Sequence, residues 1–224
     1  MKEIDFTNLM GEFGTEILKR KKEWKFFEKV WYMINWNNRK LRNLQSWCNA
    51  NKGVLWSDKI VREHINGLNN LYPKPTQNHR KAIAVLRFVK KYITYVGDTK
   101  VWGCGEYWQT PLETWTLKTG DCEDGAILIN ELMRMAKIPS YQREVRVGWV
   151  KMPGSKKGGH AYTVYTSELD ARNYELDWCY NYDNTPIDKR VPLEDKKNYL
   201  DIWFCFNESY SYKKVKNPNK KFTR

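Results

Sequence analysis

The stretch that decides the fold is TGDCEDGA, residues 119–126, which opens an apolar run with helical periodicity. Asp121 is a good N-cap, because its short carboxylate can accept hydrogen bonds from the N–H groups that a first helical turn leaves unpaired. Pro139 ends the run, since proline cannot continue a helix. The sequence therefore predicts a helix with Cys122 in its first turn. Its buried face is formed by four apolar residues at helical spacing: Ile129, Leu132, Met133 and Ala136.

Cys122 is the candidate nucleophile. At a helix start, the partial positive charge of the unpaired N–H groups favours thiolate over thiol. The backbone N–H of the cysteine can also point at a developing oxyanion. The alternative is a small buried hydrophobe, which is the usual state of a free cysteine. The neighbouring carboxylates of Asp121, Glu123 and Asp124 argue against simple burial, because three carboxylates are costly to remove from water.

His160 is the candidate base among the three histidines of the chain. It follows Gly158 and Gly159 and precedes Ala161, so the start of its predicted strand is sterically open. One of the other histidines, His64, lies on an apolar helix stripe and is predicted to pack in the core. We therefore expect His160 to be the imidazole that serves the thiol.

The orienting carboxylate has two candidates. In a strand predicted over residues 174–179, Glu175 and Asp177 face the same side, so either could aim the imidazole. The position of Asp177 beside Trp178 favours Asp177, and a surface carboxylate is the alternative. A thiol at a helix start, served by an imidazole that a carboxylate orients, is how covalent cysteine catalysis is built.

The order of predicted elements indicates the fold class. Helical periodicity over residues 14–72 is broken by Pro73 and Pro75, and another helix is predicted to begin at 76–78. Its apolar stripe is Ala82, Val85, Leu86, Val89 and Ile93. After residue 139 the period changes to two, and strands are predicted over 145–149, 160–165, 174–179 and 202–206. Helices followed by strands predict an α+β fold with an antiparallel sheet. We expect a helical N-terminal extension at 1–75, a core at 76–210 and a flexible basic tail at 211–224.

The charge of the chain is strongly positive. Its 224 residues include 39 basic and 26 acidic side chains, which gives a net charge of +13. Part of the excess lies in the run 19–22 and in the tail from residue 213 onward. Such runs attract acidic partners, and we expect weak contact with nucleic acid or another acidic surface through the tail. The alternative is a solvated, solubilising surface.

Several classes of protein are disfavoured. The five cysteines are odd in number and include no CxxC pair, which argues against a disulfide scaffold and against tetrahedral zinc and favours a reducing compartment. No apolar stretch approaches the ~18 residues that cross a membrane. The first residues lack the pattern of a signal peptide, so a cytoplasmic location is expected. The phosphate-binding glycine motifs and HExxH are absent from the sequence.

Four segments together resemble a known family. They are YWQTPLE at 107–113, GDCED at 120–124, GHA at 159–161 and LD at 176–177. In this order they resemble the transglutaminase-like superfamily, and within it the bacterial transglutaminase-like cysteine proteinases of the LapG type. The resemblance covers about residues 80 to 180, and ITYVGD at 93–98 also fits the family's entry into its domain.

The resemblance implies a papain-like core, with the cysteine on a helix and the histidine and aspartate on adjacent strands. It implies that Cys122 attacks a carbonyl, that His160 takes and returns a proton, and that Asp177 holds the imidazole. The oxyanion would be stabilised by the Cys122 backbone N–H and by a side chain upstream, with Gln109 and Trp108 as the candidates.

The resemblance also implies Ca²⁺, held by Asp121 and Glu123 beside the cysteine. Physical chemistry points the same way, because adjacent carboxylates raise the pKa of a thiol and a bound cation offsets that effect. No cofactor is required for the chemistry itself. The alternative is that Asp121 caps the helix, and that Glu123 and Asp124 complement its dipole.

The expected function is a cysteine peptidase or amidase that acts on a protein or peptide through a thioester acyl-enzyme. Acyl transfer to an amine, as in transglutaminases, uses the same three residues. A binding module that uses the fold and the basic tail is the alternative outside enzymes. The family's members are exported, whereas this sequence shows no export signal, so the family's substrate is not carried over. A short basic chain of this kind suits a phage or mobile-element product, and would then be associated with the virion.

Overall fold

The computed structural model describes residues 54–103, 105–180 and 185–213. The helical periodicity before residue 54, the basic run at 19–22 and the tail from residue 214 onward lie outside the described residues.

Five α-helices occupy the first half of the described chain. Two of them begin at side-chain caps: Asp58 Oδ1 accepts from the Val61 N–H at 3.0 Å, and Thr110 and Glu113 form a capping box. The helices are α1 Lys59–Leu71, α2 Asn78–Tyr92, α3 Asp98–Val101, α4 Pro111–Leu117 and α5 Cys122–Met135. Short 3₁₀ turns lie at Val54–Ser57, Pro75–Gln77, Ser140–Gln142, Ile187–Lys189 and Leu193–Asp195.

The strands follow the helices. Two short strands, β1 Thr94–Tyr95 and β2 Thr119–Gly120, pair in parallel. The main sheet is antiparallel, with the order β5-β4-β3-β6-β7. Its strands are β3 Arg143–Val150, β4 Gly158–Thr166, β5 Asn173–Leu176, β6 Tyr199–Phe206 and β7 Ser211–Lys213. The predicted α+β class is confirmed. Strand β7 was not predicted, and it extends the sheet three residues into the segment assigned to the flexible tail.

Helix α5 is the central element of the core. It packs against β3 and β4 on one side and against α2 and α4 on the other. The apolar stripe predicted for α2 is buried along its length, as is the predicted face of α5. Helix α1, which falls in the expected extension, buries Val61, Ile65 and Leu68 in the same apolar cluster as α5. The described part of the extension therefore completes the core.

Among residues 54–103, 105–180 and 185–213, no helix has the length and apolar character that spanning a bilayer requires.

Candidate active site

Cys122 is the first residue of α5, as predicted, and Asp121 is the N-cap. The Asp124 carboxylate accepts a hydrogen bond from the Asp121 backbone N–H at 3.1 Å, which fixes the start of the helix. The Cys122 side chain is partly exposed and lies against an apolar cluster that includes Ala126 and Ala161. Cys122 therefore lies at one end of a buried helix, and the residue is only partly exposed to solvent.

The surroundings of Cys122 favour the thiol over the thiolate. Burial raises its pKa, and the charge of Asp121 raises it further. The Cys122 thiol donates to Glu123 Oε2 at 3.1 Å. The predicted preference for thiolate at the helix start is thus outweighed by burial and by the neighbouring carboxylate. Positive charge at this position would reverse that balance.

His160 lies on β4 opposite Gly148 of β3, and its ring is buried. The Nε2 atom is 2.7 Å from Asp177 Oδ2. The backbone of the next residue, Ala161, hydrogen-bonds the Cys122 sulfur and lowers its pKa. Strand β4 therefore places His160 next to the residue that contacts the Cys122 sulfur. Since Nε2 faces the carboxylate, Nδ1 is the ring nitrogen that Asp177 does not engage.

Asp177, and not Glu175, meets the imidazole. The strand predicted over residues 174–179 ends early, because β5 stops at Leu176, and Asp177 lies in the turn that follows. There it is fully buried, and its Oδ1 accepts from the Cys179 backbone N–H at 3.1 Å. Glu175 instead forms an ion pair with Lys196. The alternation rule that made the two acids equivalent fails where the strand ends.

Tyr199 completes the surroundings of Asp177. It opens β6, and its hydroxyl donates to Asp177 Oδ2 at 2.8 Å, so this oxygen serves both Tyr199 and His160. The ring of Tyr180 lies 4.9 Å from the His160 ring, measured between centroids. Neither tyrosine was predicted from the sequence, since Tyr199 lies in a strand remote in sequence from Asp177.

Trp178 fastens the start of α5. Its Nε1–H donates to the Cys122 carbonyl oxygen at 3.3 Å, and the indole lies over Gly125. A Cβ atom at residue 125 would be only 2.1 Å from Trp178 Nε1. The glycine that follows Cys122 by three residues is thus required for the tryptophan to approach the helix.

The two side chains predicted to stabilise an oxyanion are already engaged. Trp108 donates its indole N–H to Glu106 Oε1 at 2.7 Å. Gln109 is fully buried, and both its backbone N–H and its Nε2 donate to the Asp124 carboxylate, at 2.7 and 2.8 Å. Gln109 therefore clamps the loop before α4 to the first turn of α5. The Cys122 backbone N–H, at the helix start, stays the better proposal for an oxyanion donor.

A cluster of carboxylates surrounds the start of α5. Asp98, Asp121 and Glu123 offer oxygen atoms that, for each pair, lie within 4.8 Å of one another, and Glu106 lies equally close to Asp98 and Glu123. Three of these oxygens are buried without a hydrogen-bond partner among the described residues: Asp98 Oδ1, Asp121 Oδ1 and Glu123 Oε1. Burial, and then Asp121, raise the pKa of Asp98 to about 7.

This acidic cluster fits a hard cation. Ca²⁺ takes several oxygen ligands, and carboxylates are the commonest of them. Unsatisfied buried carboxylate oxygens are rare in proteins unless a ligand completes them. Asp121 and Glu123, predicted as calcium ligands, are both in the cluster. Asp98 and Glu106, which the sequence analysis missed, add two more carboxylates from an earlier part of the chain.

Solved structures share this arrangement of helices and sheet. Calcium-bound LapG of Legionella pneumophila superposes with a TM-score of 0.52 at 17% identity, over 77% of this chain and 87% of that one. EGTA-treated LapG of the same organism gives 0.50 at 16% identity, over 81% and 88%. This chain has the LapG fold.

The predicted papain-like, transglutaminase-like core is confirmed by the likeness to LapG. No family model and no curated protein matches the sequence. At such low identity the likeness shows the fold, and the roles of individual residues rest on the geometry described above. The comparisons give no support to the predicted contact with nucleic acid.

Proposed function

We propose that this chain is a cysteine peptidase or amidase that acts on a protein or peptide through a thioester acyl-enzyme. The observation that carries the proposal is the buried hydrogen bond of 2.7 Å between His160 Nε2 and Asp177 Oδ2, beside a cysteine at a helix start. A buried imidazole aimed by a carboxylate is the group that an attacking thiol needs. The LapG fold supports the proposal.

The proposed reaction begins with proton transfer from the Cys122 thiol to His160 Nδ1. The thiolate attacks the substrate carbonyl carbon, and the negative charge that develops on the oxygen meets the Cys122 backbone N–H at the helix start. His160 returns the proton to the departing amine, which leaves a thioester on Cys122. Water, deprotonated by His160, then hydrolyses the thioester and frees the thiol.

Asp177 has a positioning role in this proposal. Its two oxygens accept from Cys179, His160 and Tyr199, so the carboxylate cannot rotate away from the ring. A fixed carboxylate keeps Nδ1 on the side of the thiol and stabilises the imidazolium that forms during proton transfer. Loss of this carboxylate would leave the imidazole free to reorient.

Calcium fits the same proposal through Asp98, Asp121 and Glu123. When bound, Ca²⁺ would supply positive charge beside the thiol and offset the carboxylates that raise its pKa. Asp121 and Glu123 flank Cys122 directly, so their neutralisation acts on the sulfur at short range. We therefore expect activity to require calcium.

A peptide library tests the proposal. The full chain is incubated with a proteome-derived peptide library in Ca²⁺ or in EGTA, and new peptide ends are identified by mass spectrometry. We expect cleavage by the parent protein in Ca²⁺ and none by Cys122→Ala. A primary amine added to the library distinguishes acyl transfer, which would attach the amine to the acyl group. Absence of both products in Ca²⁺, or equal cleavage by Cys122→Ala, would overturn the proposal.

A further inference from the structure

A second cysteine lies beside the His160–Asp177 pair. Cys179 follows Asp177 by two residues, and its sulfur, an Asp177 oxygen and a His160 ring nitrogen all lie within 4.8 Å of one another. The proposed reaction makes no use of this thiol. Three different metal-ligating groups are thus assembled at one point, and none of them belongs to the acidic cluster.

The local backbone holds the three groups together. The Cys179 N–H donates to Asp177 Oδ1 at 3.1 Å. This hydrogen bond closes a tight turn after β5 and keeps the Cys179 thiol close to the Asp177 carboxylate. His160 is fixed on the other Asp177 oxygen at 2.7 Å. His160 and Asp177 are buried, whereas the Cys179 side chain is partly exposed. Cys179 is therefore the least buried of the three residues.

The donor set selects the class of metal. One thiolate, one imidazole and one carboxylate are the three ligand types that Zn²⁺ takes in proteins, and three protein ligands leave a fourth position for water. Ca²⁺ prefers oxygen ligands alone, so the acidic cluster and the cysteine cluster attract different ions. Cysteine spacing in the sequence disfavours zinc, but it does not reveal ligands that β4 and the turn after β5 bring together.

We propose that His160, Asp177 and Cys179 form a zinc site whose occupation inhibits the enzyme. Cys179 binds as a thiolate and releases its proton to solvent, while His160 binds through a neutral ring nitrogen, so no electrons are transferred. The ion separates the imidazole from the carboxylate that orients it and occupies the base. Inhibition rests on the proposed function, whereas zinc binding does not.

Direct binding is measured on the full-length Cys122→Ala protein in saturating Ca²⁺, which fills the acidic cluster. Zn²⁺ is titrated by calorimetry, and Co²⁺ is added as a spectroscopic probe of thiolate ligation. We expect one site with a thiolate-to-cobalt absorption band. Adding Cys179→Ser should remove the band and weaken zinc binding by at least about tenfold, since even partners of metal ligands contribute that much. The matched control, Cys205→Ser, should change neither.

Protection from alkylation gives a second readout that needs no change at residue 179. Zn²⁺ should protect Cys179 of the Cys122→Ala protein from iodoacetamide, with the modified peptide quantified by mass spectrometry. Unchanged alkylation, or equal zinc affinity with and without Cys179→Ser, would overturn the site. Loss of zinc binding in Cys122→Ala itself would also overturn it, because the metal would then lie on the nucleophile.

Inhibition is measured as the zinc concentration that halves each protein's own zinc-free activity. We expect Cys179→Ser to need at least about tenfold more zinc than the parent or Cys205→Ser. Equal sensitivity of all three would reject the inhibitory role. If the parent cleaves no peptide, the proposed function fails, and the binding and protection measurements still decide the zinc site.

Discussion

The two ends of helix α5 bury carboxylates in opposite ways. Near the C-terminal end, Glu131 bonds Arg134 at 2.7 and 2.5 Å, and Arg143 bonds Glu208 at 2.7 and 2.5 Å. At the N-terminal end, the carboxylates around Cys122 retain buried oxygens without a partner among the described residues. Near the C-terminal end, arginine side chains of the protein neutralise the buried carboxylates. At the N-terminal end, no arginine pairs with these oxygens among the described residues, and we expect a bound cation to neutralise them.

The difference bears on how the site is switched. The charge of a buried carboxylate paired with arginine is neutralised whether or not a cation is present in solution. The charge of an unpaired cluster is neutralised only when a cation binds. The thiol of Cys122 lies within the unpaired cluster, so its pKa is expected to follow occupation by a cation. The His160–Asp177 pair, in contrast, is satisfied by the chain itself through Tyr199 and Cys179.

Removing an arginine near the C-terminal end of α5, where the carboxylates are paired, should have the largest effect on stability. Arg143→Ala removes the ion-pair partner of Glu208, and both side chains are buried, at 2% and 8% exposure. We expect a loss of about 3–5 kcal/mol in the free energy of unfolding, measured by urea denaturation. Arg172→Ala removes an exposed ion pair with Asp195 and is the matched control, with a much smaller expected loss because solvent screens exposed charges. Equal losses would contradict the comparison.

Neutralising a carboxylate of the acidic cluster, at the N-terminal end of α5, should raise the free energy of unfolding. Asp98→Asn removes a buried charge, and we expect the calcium-free protein to gain about 1–3 kcal/mol at neutral pH. The same change should reduce the rise in melting temperature that Ca²⁺ produces. Thermal unfolding in EGTA and in Ca²⁺ measures both. Glu131→Gln at the other end is the control, and should destabilise the protein equally in both solvents.

The pH dependence should separate the two ends. Burial and Asp121 raise the pKa of Asp98 to about 7, so the native state holds a proton that the unfolded chain has lost. Calcium-free stability should therefore fall as pH rises from about 4 to about 7, by up to ~1.4 kcal/mol per pH unit. Asp98→Asn should flatten this fall, as urea denaturation in EGTA at a series of pH values would show.

Glu208 should act in the other direction. Although burial opposes it, Arg143 lowers the pKa of Glu208, so the native state favours the carboxylate. This contribution is present above about pH 4.3, the ordinary value, and is lost as pH falls through the native pKa. Glu208→Gln should remove that acid loss and leave the fall between about pH 4 and about pH 7 unchanged. A single common slope for both variants would contradict this assignment.

The smallest effect is expected at the His160–Asp177 pair, whose hydrogen bonds are made by the protein itself. Tyr199→Phe removes one hydrogen bond to Asp177, worth about 0.5–1.5 kcal/mol, so kcat/KM should fall by roughly 3- to 10-fold. Because Tyr199 acts through Asp177, the loss should appear in kcat, with a shifted pH profile and little change in KM. Tyr162→Phe, which removes a hydroxyl from the ring packed edge-on at 4.7 Å, is the control. A change confined to KM would contradict the positioning role.

The main elements were predictable from the sequence because they follow from periodicity. Helical spacing placed Cys122 at the start of α5, and alternation placed His160 on a strand. Asp177 could not be separated from Glu175, since that choice depends on β5 ending at Leu176. Strand β7 was missed because its pairing with β6 is a tertiary contact that a short polar segment does not announce.

The rest of the site depends on contacts between distant segments. Asp98 reaches the cluster from the first residue of α3, and Tyr199 reaches Asp177 from β6. Neither has a local sequence signal that distinguishes it from an ordinary surface residue. The engagement of Gln109 by Asp124 likewise appears only when the loop before α4 meets the first turn of α5.

The most direct test is the pH dependence of iodoacetamide alkylation at Cys122, with and without Ca²⁺, in the parent protein and in His160→Ala. We predict that without calcium the thiol reacts only well above about pH 8.5, the ordinary thiol value. Calcium should move the midpoint to lower pH, and His160→Ala should move it back. A midpoint that neither calcium nor His160→Ala changes would contradict both the cation-dependent switch and the pairing of Cys122 with His160.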